Sequence, residues 1–99
     1  MPIGGDRYAF SRDGLAHAPE VAGVYALYSS GEVIFFGAAR GGVAGIRARL
    51  ADHMSGREGA ATQWANEYRY ERTTDPVARR NELLDEYLDA HGRLPRCNG

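Results

Sequence analysis

The chain has 99 residues and a mass of 10.8 kDa, which suits a single domain and excludes a two-domain arrangement with separate cores. An apolar share of 43% and a charged share of 25% exclude a disordered or fibrous chain. A formal net charge of −1 excludes a global positive field, so any binding of nucleic acid has to come from a local patch.

In chain order, Ser11 ahead of Arg12-Asp13-Gly14-Leu15-Ala16-His17, with a stop near Pro19, predicts a short capped helical turn. Gly23 to Tyr28 and Val33 to Phe36 are two β-rich runs separated by Ser29-Ser30-Gly31-Glu32, which predicts an antiparallel hairpin. The second run is apolar throughout, which predicts a central strand covered on both faces. Gly37 to Gly42 carries three glycines and reads as a flexible loop. From Val43 to Met54 apolar residues recur at 43, 46, 50 and 54, the spacing of one helix face, with Gly56 as a stop.

Residues 57–64 are small or polar, with Trp64 expected as an anchor. Asn66 to Thr73 predicts a third strand, in which Tyr68 and Tyr70 share a face. The last helix has the clearest ends: Asp75 as N-cap, Pro76 in the first position, Gly92 and Pro95 as terminators. Val77, Leu83, Leu84, Tyr87 and Leu88 form its apolar stripe. The predicted fold class is α+β: helices flanking a small three-stranded antiparallel sheet in the order β-β-α-β-α, one domain over 1–99 with its core at 18–98. No apolar run approaches the length of a membrane span, a single Cys97 allows no internal disulfide, and the first residues lack a secretory pattern, so a cytoplasmic address is expected.

Four features then fall in a telling order. They are Gly23-Val24-Tyr25, then Phe35-Phe36-Gly37 ten residues on from Tyr25, then Arg49 and His53 four apart, then an acidic helix leading to Pro95-Arg96-Cys97-Asn98. Together they resemble the GIY-YIG nuclease superfamily, over residues 18 to 98. The resemblance implies a metal-dependent endonuclease that cleaves phosphodiester bonds. Such chemistry needs a nucleophilic water, a group to take its proton, a cation over the developing charge and a carboxylate-held divalent ion. Carried over, it makes Tyr25, Arg49, His53 and Asn98 catalytic and places the carboxylate for Mg2+ or Mn2+ near Glu86.

Three departures bear on activity. The second tripeptide is Phe-Phe-Gly, so the phenol expected at position 35 is absent, and Phe35 can neither take nor give a proton. Ala38 stands where relatives often carry lysine. The loop before the arginine is longer than in the repair enzymes, which leaves Arg47 as a competitor of Arg49; only Arg49 has a histidine at i+4 on the same face. For the metal carboxylate, counting back from Asn98 selects Glu86, the Glu-Leu-Leu string selects Glu82, and a third register places Arg80 in that slot, where it would repel a cation.

Every cationic residue is arginine, whose planar fork suits phosphate oxygens. Between Ala38 and Glu58, Arg40, Arg47, Arg49 and Arg57 stand against Asp52 and Glu58, and Arg40 and Arg47 are expected to contact nucleic acid. The expected activity is that of a GIY-YIG-type domain acting on nucleic acid, DNA first, with cleavage reduced or lost through Phe35. The alternatives are a catalytically inactive nucleic-acid-binding module and a protein-interaction module, either of them open to homodimerisation.

Overall fold

The computed structural model describes residues 1–41 and 43–98. Its elements are β1 (Tyr8–Ala9), β2 (Gly23–Ser29), β3 (Glu32–Ala39), α1 (Ile46–Met54), β4 (Glu67–Arg72) and α2 (Pro76–His91), with single 3-10 turns at Gly14–His17 and Thr62–Trp64. The α+β class matches expectation, but the sheet has four antiparallel strands in the order β1-β4-β2-β3 instead of three. The added strand β1 pairs Tyr8 with Tyr68 and Ala9 with Glu67, and two residues are too few to leave an alternating pattern in the sequence. No described helix is long and apolar enough to cross a membrane.

The β2–β3 hairpin turns through Ser30 (φ 52°) and Gly31 (φ 81°), the paired positive φ values that suit the right-handed twist of the strands. A register shift between Leu27 and Tyr28 pairs Leu27 with Phe35 and Tyr28 with Val33, leaving Ile34 as the extra residue of a bulge. The bulge puts Ile34 and Phe35 on the same side of the sheet. Thereafter β3 alternates again, with Phe36 on the far side.

Two cores result. On one face Tyr25, Leu27, Ile34 and Tyr68 pack with Ile46 and Leu50 of α1. On the other, Val24, Ala26, Tyr28 and Phe36 pack with Leu83 of α2 and Ile3. Strand β2 sits between β4 and β3 and is buried at every position from Gly23 to Tyr28.

The expectation of a central β3 is corrected: it is an edge strand. Its apolar character survives at the edge because the C-terminal segment covers it. Cys97 N donates to Ile34 O at 2.9 Å, Phe36 N donates to Asn98 Oδ1 at 2.9 Å, and Asn98 Nδ2 donates to Phe36 O at 3.0 Å. An edge whose backbone groups are satisfied in this way is closed to further strand pairing.

Three local readings shift. Strand β3 runs on through Ala39, so Gly37 to Ala39 are strand and not loop; Gly42 lies outside the described residues. Helix α1 begins at Ile46, because Gly41 and Ala44 first exchange backbone hydrogen bonds of 3.3 and 3.1 Å in a turn, and Val43 is 99% exposed. Trp64 is 74% exposed and anchors nothing. Helix α2 keeps its expected ends: Asp75 Oδ1 accepts from Ala78 N at 3.3 Å, and Gly92 takes the left-handed conformation. Only Leu83 of its stripe is fully buried, while Val77 and Leu88 are exposed.

Candidate functional site

Tyr25 enters the site from β2, the strand enclosed on both sides, and is fully buried. Across the ladder it faces Gly37, where a Cβ would sit 2.2 Å from Tyr25 Cζ and 2.3 Å from its hydroxyl oxygen. Glycine at 37 is therefore a steric requirement of the tyrosine: the ring occupies the space a side chain would fill. Phe35, brought to this face by the bulge, lies 6.1 Å from the Tyr25 ring and 4.8 Å from the His53 ring, centroid to centroid.

Arg49 and His53 lie one turn apart on α1, and the helix aims both toward Tyr25. The Tyr25 hydroxyl and His53 Nε2 are 2.7 Å apart, and His53 Nδ1 is 2.9 Å from Thr62 Oγ1. The neighbours fix the polarity of this chain of bonds. Thr62 donates to Gly59 O at 3.4 Å, so it accepts from His53 Nδ1–H, which leaves Nε2 to accept from the Tyr25 O–H. The guanidinium beside Tyr25 has only donors, which agrees with a phenol oxygen that gives its proton to histidine.

Burial sets the charge states. It pushes the Tyr25 phenol up to about 12, with Arg49 pulling the other way, and drives the His53 imidazole down to about 4. Both are neutral near pH 7. At 0% and 1% exposure, neither ring presents a reactive atom to solvent. Arg49 is the member that reaches outward, with 29% of its side chain exposed, held by Glu58 and by Asp52 at 3.6 Å.

Beyond Arg49 opens a cleft of about 300 Å³ at the end of β3, lined by Ala38, Arg40, Ala44, Arg49 and, from the first turns of α2, Pro76, Val77 and Arg80. Three guanidinium groups thus meet from the end of a strand and from the two helices. Among the described residues Arg40 and Arg80 have no carboxylate partner, and Arg80 Nε is buried without a hydrogen-bond acceptor.

The other expected site residues lie elsewhere. Arg47 is turned away: its Nε donates to Ala18 O at 2.8 Å, tying α1 to the end of the first 3-10 turn. Asn98 braces the edge of β3 through two hydrogen bonds to the Phe36 backbone. Glu86 holds the N-terminal amine at 2.8 Å, and Glu82 bonds Arg79 at 2.5 Å. The cleft lining holds arginines where a divalent ion needs carboxylates, so the residues present do not fit magnesium or manganese.

Thr62 escaped the sequence reading altogether, and Glu58 entered it only as a local negative charge. Thr62 lies in a run of small residues without periodicity, and Glu58 reaches Arg49 only because the chain reverses after α1 near Gly56. Arg80 was legible only as one of three registers. No protein-family model, curated protein or solved structure matches the chain.

Proposed function

We propose that this chain is a GIY-YIG-type domain that binds nucleic acid through its phosphates and has lost the cleavage of phosphodiester bonds. One observation carries the reading: Arg40, Arg49 and Arg80 line a single open cleft, while Tyr25 and His53 lie sealed behind Arg49. Guanidinium groups are the donors best matched to phosphate oxygens. The buried phenol and imidazole orient Arg49 and cannot reach an attacking water from where they sit.

Two features argue against cutting. Phe35 supplies no proton acceptor on the face where the resemblance expects a phenol, and loss of a positioned base costs about 10²–10⁴ in rate. Arg80 stands at the cleft where a metal-dependent enzyme needs a carboxylate.

The test is fluorescence anisotropy with a short single-stranded oligonucleotide over a salt series, together with a gel assay for cleavage in magnesium. Two to three phosphate contacts predict a slope of log affinity on log salt of about −1.5 to −2, reduced in Arg49→Ala. Magnesium-dependent cleavage by the unaltered protein would refute the loss of activity. Salt-independent binding, or binding untouched by Arg49→Ala, would refute the interface.

A further inference from the structure

The charge balance of the cleft specifies its ligand more closely. Arg49 is compensated by Glu58 and Asp52, whereas Arg40 and Arg80 have no acidic partner among the described residues. Two uncompensated cations remain, Arg40 just after the end of β3 and Arg80 on α2. An internal phosphodiester brings one negative charge. A phosphomonoester brings close to two at neutral pH and offers three terminal oxygens.

Arg80 adds to this: it lines the cleft, and its Nε is buried without an acceptor, so no protein group among the described residues offsets that end of the guanidinium.

Resting on the nucleic-acid reading above, we infer that the cleft is a metal-free clamp for a phosphomonoester, the phosphorylated end of a nucleic acid strand. In this clamp Arg80 supplies the positive charge that a divalent ion supplies in a metal-dependent nuclease. Arg49 and Arg40 take the remaining oxygens, with Arg49 held rigid by Glu58 and the Tyr25 group behind it.

The experiment is a set of titrations in excess EDTA. The probes are short oligothymidylates phosphorylated at the 5′ end, at the 3′ end or at neither, with thymidine monophosphate as a fourth arm. The clamp predicts that one phosphorylated oligonucleotide binds at least about tenfold tighter than the unphosphorylated one, the scale of one charge-assisted hydrogen bond. Arg80→Ala and Arg40→Ala should each abolish most of that preference, and Arg80→Lys should restore part of it. Arg40 is exposed, so its variant keeps the test valid if Arg80→Ala fails to fold.

Equal affinity for all three oligonucleotides overturns the clamp and leaves the broader nucleic-acid reading standing. A preference that survives both alanine variants, or that appears only when magnesium is restored, also overturns it. Thymidine monophosphate binding as tightly as the best oligonucleotide supports the clamp but assigns it to free nucleotides, and the nucleic-acid reading then falls. Binding of none of the four probes refutes both.

Discussion

His53 makes the stability of this domain sensitive to mild acid in a way that can be isolated. The imidazole is 1% exposed, bonded on both nitrogens, and held near a value of about 4 by burial, against 6.5 for an unhindered histidine. Between those two values the unfolded chain binds a proton that the folded chain refuses, so lowering the pH favours unfolding. The contribution is fully present above 6.5 and is lost as the pH falls toward 4. Each unit of the gap is worth about 1.4 kcal/mol, so moving from about pH 7.5 to about pH 4.5 removes roughly 2–3 kcal/mol through this residue alone.

Glu71 is a second source of acid sensitivity, since its hydrogen bonds to Arg79 hold its carboxyl below the usual range. That effect is common to the wild type and a His53 variant and cancels on comparison. The assay is urea unfolding at both pH values for the wild type and His53→Gln, whose amide can still bond Tyr25 and Thr62. The wild type should lose roughly 2–3 kcal/mol more than the variant. Equal acid losses would refute the claim that His53 is buried as the neutral imidazole.

Further outcomes follow from the contacts around the site. Gly37→Ala must displace Tyr25, and overpacking of this kind costs about 1–3 kcal/mol, so thermal unfolding should show a drop in Tm of roughly 5–15 °C; an unchanged Tm would contradict the close approach. Asn98→Ala removes both side-chain bonds that seal β3, and should cost about 1–3 kcal/mol with faster hydrogen exchange at Phe36 and Ile34; unchanged exchange would count against the sealed edge. Phe35→Tyr alone should leave cleavage in magnesium undetectable, because Arg80 still occupies the cleft; cleavage by that single variant would show that the phenol was the one missing part.

What the sequence revealed divides along physical lines. Helix α2 and the hairpin were legible because their determinants are local: Asp75, Pro76 and Gly92 act within a turn of themselves, as do Ser30 and Gly31. The edge position of β3 was not, because what covers it is the backbone of Cys97 and the amide of Asn98, more than sixty residues away. Strand β1 is too short for periodicity, and Val43 continues a helical spacing that the Gly41 turn interrupts. In the site, the i to i+4 spacing of Arg49 and His53 was enough to place them on one face. That Arg47 binds Ala18, or that Glu58 folds back onto Arg49, depends on loop paths no spacing encodes.

The most direct check is an NMR titration of the arginine Nε–H signals with a phosphorylated oligothymidylate in EDTA. The signals of Arg40, Arg49 and Arg80, the three arginines that line the cleft, should move together and saturate. If they stay in place while arginines outside the cleft, such as Arg7 or Arg93, respond, phosphate is bound elsewhere on the surface and the account of the cleft is wrong.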